Sequence, residues 1–399
     1  MKIAVVVNEL DIRGGTHKQV LRLCEYLINK GHDVAIYTKY FDLKKTYPGF
    51  KNTKIFSTKG AREAVSASEK KKSIFNKIQT RVQVVSEDLD LLKMIPRDTD
   101  IINVHDTGMP YFLFFLRLFK GSKPKVVWQI NDLPGCFFVG VSQNAVASKN
   151  SFMRKLDRAI NRSAAKKSNR ITVNVSKNKS RVEDQLRQSA DVFYCGVDKN
   201  ESLQKHTYPS DAKIIRLLST GVFFPYRNYE SLVLAVEKLN EQGHFVHLDI
   251  VGSTELDRNY ADSIKELIKT KGLEDKITVW GQVDEDKYIE LYNQAHMFLF
   301  LNIDQSWGLA VFEAMSCGLP TLVSNSVGAI ELLSDGKDSL IIEPKDIDAI
   351  CDAIIKLKND KAYYEMISRN GIAAVETFTW ERLYCEKMLN LFETLINKK

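Results

Sequence analysis

DQSWGLAVFEAMSCGLPTLVSNSVGAIE, residues 304–331, is the stretch on which the reading of this chain turns. Just upstream, residues 297–301 (MFLFL) form a continuous apolar run of strand length, so the loop 302–308 leaves a strand at its C-terminal end. In an open α/β sheet that edge is where ligands bind. Residues 309–317 space their apolar side chains as a helix does, with Glu313 interrupting them, and Gly318-Leu319-Pro320 stops the helix before a buried strand. Ser326-Val327-Gly328-Ala329 repeats the arrangement one strand later, as a small-residue turn opening another helix. Helix starts present free backbone N–H groups and a positive dipole end, which suits a phosphate. Two such starts beside a carboxylate suit a nucleotide diphosphate.

Outward from this stretch, strand-like apolar runs alternate with helical patterns, the signature of parallel sheets with crossover helices. The first set of strands is expected over 3–7, 33–38, 100–104, 125–130, 171–175 and 192–194, with a helix over 16–30 stopped at Gly31. Residues 51–97 read as irregular and basic, holding a helix or an arm over the sheet. Residues 195–211 have the polar, Pro-containing character of a linker. A second set of strands follows at 213–219, 247–251, 276–280, 297–301, 320–323 and 340–342, with helices over 228–242 and 284–295 among the connections. The expected organisation is two doubly wound α/β domains, 1–205 and 206–377, with a last helical stretch over 378–399.

The 399 residues suffice for two or three cores, and 44% hydrophobic with 27% charged residues describes an ordinary globular chain. The N-terminal MKIAVVVNELD meets acid too soon for a signal peptide and reads as a first strand. No run approaches the ~18 apolar residues of a membrane span, and 111–119 is interrupted by Arg117. Six cysteines without C-x-x-C spacing favour a reduced, cytoplasmic setting without structural zinc, and Cys317 reads as a small apolar helix residue. Residues 1–205 carry 37 Lys+Arg against 20 Asp+Glu, and residues 206–399 carry 20 against 30. A first half at +17 beside a second at −10 suggests that the first faces something anionic, a membrane surface or a phosphorylated acceptor. Nucleic acid is disfavoured by the absence of a recognition motif and by Asp284-Glu285-Asp286. The basic stretches Lys70-Lys71-Lys72 with Lys77 and Arg81, then Arg154 to Arg170, interleave with Phe75, Ile78, Phe152 and Leu156. They are either solvated faces or a peripheral contact with the membrane's cytoplasmic face.

Gln305-Ser306-Trp307-Gly308-Leu309 with Glu313, followed by Ala314-Met315-Ser316-Cys317-Gly318-Leu319-Pro320, resembles the E-x7-E region of retaining glycosyltransferases of family 4. There the pattern runs Glu-Gly-Phe-Gly-Leu-x-x-x-Glu-Ala-Met-Ala-x-Gly-x-Pro, so the first Glu falls on Gln305, with Asp304 beside it. Gly14-Gly15 before a helix, Gly31-His32-Asp33-Val34, Asp100-x4-His105 and Tyr194-Cys195-Gly196-Val197-Asp198 occur in the family's order. The resemblance implies the GT-B fold, two Rossmann-like domains facing across a cleft. The first domain would hold a glycan or lipid-linked acceptor, and the second a nucleotide-sugar donor. The last helix would cross back to the first domain. No cofactor and no metal is implied, since no D-x-D pair sits in the phosphate stretch.

Each candidate residue carries a chemical expectation beside a plainer one. Glu313 can accept hydrogen bonds from two vicinal hydroxyls, and in the family this Glu binds the nucleotide ribose; otherwise it complements the helix dipole. Gln305 occupies the family's position near the donor sugar, where an amide can bond hydroxyls but supplies no negative charge; Asp304 would supply it after a shift of one residue. Trp307, Gly308 and Leu309 bring the loop to the sugar or phosphate, the last two through backbone amides. Gly328 lets backbone approach a phosphate, or simply turns the chain. In Gly221-Val222-Phe223-Phe224-Pro225-Tyr226-Arg227 the family often reads Gly-Arg-Leu-x-x-x-Lys-Gly, with both cations on the diphosphate. Arg227 falls on the Lys and Val222 on the Arg. Gly281 is expected to hold the base through its backbone. On the acceptor side, Gly14 and Gly15 permit φ > 0 and a close approach. His105 ends one strand and Asn131-Asp132 the next, either as contacts for an acceptor hydroxyl or as structural residues. Catalytic roles fall to His105, Arg227, Gln305 and Asp304. Two other functions fit the same residues: a GT-B sugar-nucleotide epimerase, and a degenerate subunit that keeps the fold and only binds a partner.

Overall fold

The computed structural model describes residues 1–60, 74–105, 109–132, 151–198, 203–305 and 307–397. They fall into two units, residues 1–196 with 380–397 and residues 197–379. The sequence placed these changes at 205/206 and 377/378.

Unit 1 is built on a seven-stranded sheet in the order β3-β2-β1-β4-β5-β6-β7, all parallel. The strands are β1 Lys2–Leu10, β2 Asp33–Phe41, β3 Lys54–Lys59, β4 Ile101–His105, β5 Lys125–Ile130, β6 Arg170–Val173 and β7 Asp191–Val192. Every residue of β4 is buried, as a central parallel strand covered on both faces requires. Helix α1 (Gly15–Asn29) buries Val20, Leu21, Leu23, Cys24 and Leu27 at helical spacing, and Gly31 at φ +82 closes it. The helices α2 (Ile74–Met94), α3 (Pro110–Lys120), α4 (Ser151–Lys167) and α5 (Ser176–Leu186) complete the crossovers.

Strand β3 corrects the reading of 51–97 as irregular. Its alternately half-buried pattern pairs with β2 alone, and Phe56 stacks on Tyr37 with ring centroids 5.2 Å apart. An edge strand this short, set in basic sequence, lacks the apolar run that reveals an interior strand. Helix α2 anchors the same region through Asp88, which is fully buried, 2.5 Å from Lys39 Nζ, and accepts from the Phe112 N–H at the start of α3.

Residues 380–397 close unit 1. A π-type turn, Glu381–Cys385, leads into α12, Glu386–Asn397, and Tyr384, Met388 and Phe392 are buried. The Tyr384 hydroxyl lies 3.4 Å from Gln129 Oε1 on β5.

Unit 2 repeats the plan with six parallel strands in the order β10-β9-β8-β11-β12-β13. They are β8 Ile215–Thr220, β9 Val246–Val251, β10 Ile277–Gly281, β11 Met297–Phe300, β12 Thr321–Ser324 and β13 Leu340–Ile342. Its helices are α6 (Tyr229–Glu241), α7 (Arg258–Thr270), α8 (Glu285–Gln294), α9 (Leu309–Ser316), α10 (Ile347–Asn359) and α11 (Lys361–Glu376). Asp257, Asp284, Asp346 and Asp360 each accept a hydrogen bond from a backbone N–H in the first turn of α7, α8, α10 and α11. One sheet face packs Leu217, Leu248, Ile250 and Leu299 against α6, α7 and α10. The other carries Thr220, Asp249, Trp280 and Phe300.

In each sheet the winding reverses once, between β1 and β4 and between β8 and β11. Loops at such a point diverge and open a crevice at the strands' C-terminal ends. Among the described residues no helix is long and apolar enough to cross a membrane. The Lys70–Lys72 run and Asp106 lie outside the described residues, as do the side chains of Phe75, Lys77, Ile78 and Phe152. Of the described cations in those stretches, Arg81 pairs with Asp157 at 2.7 Å and Arg162 donates to the Gln185 carbonyl.

Candidate functional site

In unit 2 the reversal point lies between the loop after β8 and the loop after β11. The first starts at Gly221, whose φ of +152 is open to glycine and strained for other residues. Its carbonyl lies where a side chain on Gly252 would stand: a Cβ there would meet Gly221 O at 1.9 Å. The two strand ends therefore close on each other only because Gly252 lacks a side chain. Residues Pro225–Arg227 then make one 3-10 turn, and Asn228 at φ +55 enters α6. The Asn228 amide donates to the carbonyls of Leu301 (3.2 Å) and Pro344 (2.7 Å), fixing this loop to the ends of neighbouring strands.

Arg227 lies folded back over Gly221. A Cβ on Gly221 would stand 2.4 Å from the guanidinium carbon, so the glycine makes room for the cation. The guanidinium is 5.1 Å from the Tyr226 ring centroid and 5.9 Å from that of Phe300. Its Nε is buried, and no acceptor or carboxylate among the described residues pairs with it.

The loop after β11 is tied to its surroundings by the backbone. Ile303 N–H donates to the Tyr226 carbonyl (2.7 Å), and Asp304 N–H to Ser326 Oγ (2.7 Å). Asp304 takes a left-handed conformation, φ +56, which Asp tolerates better than most residues. Asn302, nearly fully buried, donates through its amide to Gln305 Oε1. Trp307 is buried against Phe312, and Gly308 precedes α9 in extended backbone. A Cβ on Gly308 would come within 2.9 Å of the Phe300 ring. The start of α9 and the Arg227 guanidinium thus flank the same phenyl ring, which brings a cation and a helix N-terminus together.

Glu313, one turn into α9, is half-buried, and its Oε2 lies 3.4 Å from the Tyr288 hydroxyl on α8. That hydroxyl is also 3.2 Å from the Tyr292 hydroxyl. Burial, and secondly the Glu313 charge, hold the Tyr288 phenol well above its usual range, so it stays protonated and can donate.

One donor-side expectation changes. Gly328 opens no α-helix: Gly328–Leu332 is a five-residue 3-10 segment, and the Gly328 N–H donates to the Gln305 carbonyl at 3.0 Å. That amide braces the loop instead of facing a phosphate. Gly281, at φ +69, has its carbonyl engaged by Gly252 N–H at 2.9 Å. Leu309 begins α9 as expected. Cys317 is buried, donates to the Ala314 carbonyl, and burial pushes its thiol up to about 12, in keeping with a packing role.

The acceptor-side residues of unit 1 meet a different environment. Gly14 is extended, φ −160, so neither it nor helical Gly15 uses the left-handed freedom expected of the pair; a Cβ on Gly14 would instead press on the His17 ring at 3.2 Å. His105 is fully buried at the end of β4, with Nε2 2.7 Å from Asn103 Oδ1. Burial pushes its pKa down to about 3, leaving a neutral ring with no surface for a hydroxyl. Asn131 donates to Thr16 Oγ1 (3.0 Å) and Gln19 Oε1 (2.9 Å) and accepts from Gln129 Nε2 (3.0 Å), so its amide is engaged within the fold. Both residues fit structural roles better than the acceptor contact expected of them. Asp132, beside Asn131, is half-buried.

Among the described residues no three or more His, Cys, Asp or Glu side chains gather as a cation site. Sequence reasoning missed Tyr226, Tyr288 and Gly252. Only Gly252, following a strand as Gly221 does, carried a signal.

Comparison with known proteins agrees with this geometry. Residues 13–201 match the family model Glycosyltransferase Family 4, and residues 198–374 match Glycosyl transferases group 1. The O-antigen chain mannosyltransferase B of Escherichia coli is 28% identical over 165 residues, 41% of this chain and 42% of that protein. Mannosylfructose-phosphate synthase of Agrobacterium fabrum is 25% identical over 206 residues, 50% of this chain and 45% of that protein. The chain thus spans less than half the length of these curated relatives. The fold is similar to sucrose-phosphate synthase from Thermosynechococcus elongatus, with TM-score 0.77, 18% identity and both chains covered completely. It is also similar to Anabaena HepE solved with UDP and glucose, with TM-score 0.73, 13% identity, and 99% of this chain and 100% of that one covered. With two Rossmann-like units and family models matching both, the chain belongs to glycosyltransferase family 4 and has the GT-B fold.

Proposed function

We propose that this chain is a retaining, metal-independent glycosyltransferase. It moves a hexose-type sugar from a nucleotide-sugar donor held by unit 2 to a hydroxyl of a glycan or lipid-linked acceptor, in the synthesis of a cell-surface polysaccharide. One observation carries the donor assignment: Arg227, with no carboxylate partner among the described residues, holds its guanidinium at the reversal point of the unit 2 sheet, beside the start of α9. A guanidinium offers a bidentate fork to phosphate oxygens, and the amides at Gly308 and Leu309 add partial positive charge. Anabaena HepE, of similar fold, was solved with UDP and with UDP-glucose, which supports a nucleotide-sugar donor.

In this reaction the bond from the sugar's anomeric carbon to the diphosphate oxygen breaks, and the incoming hydroxyl bonds to that carbon on the same face. The departing diphosphate takes the hydroxyl proton, so no protein nucleophile is needed. Arg227 and the α9 amides stabilise the charge that accumulates on the diphosphate as that bond breaks. Glu313 accepts hydrogen bonds from the ribose diol. Gln305, steadied by Asn302, meets the sugar hydroxyls, and Asp304 supplies the negative charge near the developing oxocarbenium ion. The acceptor belongs to the basic unit 1, whose charge also suits peripheral placement on the membrane's cytoplasmic face.

The replacement of the family's Glu by Gln305 motivates a second reading, a subunit that binds donor without turnover. A thermal-shift screen against nucleotide sugars, followed by turnover with candidate acceptors, separates the two. A shift with UDP-, GDP- or ADP-sugars and turnover lost in Glu313→Ala and Arg227→Ala supports the transferase. A shift without turnover favours the binding subunit, and inversion at a ring carbon of the donor indicates an epimerase. If no nucleoside diphosphate or its sugar raises the melting temperature, the donor assignment fails.

A further inference from the structure

We infer that Tyr226 is a positioning residue that holds Arg227 in its diphosphate-binding orientation. This rests on the proposed role of Arg227 and deepens it. An arginine side chain has many rotamers, and with no acid partner among the described residues Arg227 has no ion pair there to choose among them. Here the choice is made by packing. Below the guanidinium is Gly221, where a Cβ would stand 2.4 Å from the guanidinium carbon. Beside it are two aromatic rings, Tyr226 at 5.1 Å and Phe300 at 5.9 Å. The Tyr226 ring is itself buttressed, stacked on Phe224 with centroids 5.7 Å apart and planes inclined by 17°. Its backbone is pinned from both sides: Arg227 N–H donates to the Phe224 carbonyl at 2.8 Å, and Ile303 N–H to the Tyr226 carbonyl at 2.7 Å. A π-face attracts the cation without neutralising it and takes up none of its N–H donors, as a carboxylate would. A carboxylate in the same place would hold the arginine equally well and occupy those donors.

This arrangement bears on Val222, where the family often carries a second cation. A single cation loses more from disorder than one of two that share the charge. The ring compensates by pre-organisation, which reduces the ordering cost of binding.

The test is a double-mutant cycle read by isothermal titration with UDP, GDP and ADP, on the full chain and on Tyr226→Leu, Tyr226→Phe, Arg227→Ala and Tyr226→Leu/Arg227→Ala. Melting temperatures verify folding, and Tyr226→Met serves if Tyr226→Leu does not fold. The expected result is about a tenfold loss of affinity in Tyr226→Leu, with Tyr226→Phe within about twofold of the parent. The loss should vanish in the Arg227→Ala background, because the ring then has no cation to hold. A merely structural Tyr226 would add its full loss in that background, which overturns the inference, as does parental affinity in Tyr226→Leu. Parental affinity in Arg227→Ala, or no binding of any of the three nucleotides by the parent chain, removes the donor reading and this inference with it. A tenfold loss in Arg227→Ala beside an unaffected Tyr226→Leu removes the inference alone.

Discussion

The two sheet edges of this protein share a plan and differ in what their polar groups do. In unit 1, the groups at the reversal between β1 and β4 bond one another: Asn131 joins Thr16, Gln19 and Gln129, and His105 is sealed against Asn103. In unit 2, at the reversal between β8 and β11, Arg227 is held by rings and has no acid partner among the described residues. A buried polar network that satisfies itself makes a rigid scaffold. A cation positioned by aromatic packing, with no carboxylate on its donors, makes a receptor. The same topology therefore supports either outcome, and side-chain bookkeeping decides which.

The largest effect expected from breaking this contrast is at Arg227. Arg227→Ala should lower the rate with a nucleotide-sugar donor by about a hundredfold, the scale for removing one charge-assisted contact to a developing anion, while the melting temperature stays near the parent's. Steady-state kinetics beside a thermal melt reads both. Unchanged turnover would place the diphosphate elsewhere.

At the unit 1 edge the expected sign is the reverse, with stability falling. Asn131→Ala removes the partner of Gln19 and Gln129, both fully buried, and should destabilise the fold by about 2–3 kcal/mol in denaturant unfolding. UDP affinity should hold where the variant is folded. If the variant is as stable as the parent but loses acceptor turnover, Asn131 is an acceptor contact after all.

His105 supplies a pH test of the same edge. Its folded pKa of about 3 lies below the usual value of 6.5, so below that usual value the unfolded chain binds more protons than the folded one. Stability is therefore lost as pH falls through 6.5 and continues to fall toward 3. The contribution between pH 7 and pH 5 is about 2 kcal/mol, and His105→Gln should flatten that slope. The pH profile of turnover between pH 5 and 8 should carry no titration of His105. A profile whose acidic limb disappears in His105→Gln would return the residue to catalysis.

How much of this was legible in the sequence follows from what each signal is made of. Strands made of continuous apolar runs announce themselves, and 125–130 and 340–342 match the interior strand β5 and the edge strand β13 to the residue. The edge strand β3 has no such run and was missed. Gly308, Glu313 and Arg227 were found because their local pattern carries the chemistry. Hydrogen bonds between elements distant in sequence have no local pattern, and those decided the rest. The Gly328 amide is taken by Gln305, 23 positions earlier, and Asn131 is taken by α1, more than a hundred positions away. Tyr226 was hidden for another reason: the Arg227 guanidinium beside it also faces Phe300, which the sequence places in a separate strand.

The smallest effect sharpens the unit 2 side. If Glu313 receives the ribose diol, the Tyr288 hydroxyl steadies the carboxylate through Oε2. The contact is long, 3.4 Å, and the same proton can turn to Tyr292 at 3.2 Å, so its loss should cost little: about threefold in UDP affinity for Tyr288→Phe. The informative comparison is with 2′-deoxyUDP. Removing the 2′-hydroxyl should weaken binding to the parent chain, and Tyr288→Phe should then weaken it no further, because the carboxylate has less to hold. A Tyr288→Phe loss that is equal for UDP and 2′-deoxyUDP would mean that the phenol packs α8 against α9 without aiming Glu313. Glu313→Ala with parental UDP affinity would go further and place the ribose away from α9, leaving Arg227 alone to mark the donor site.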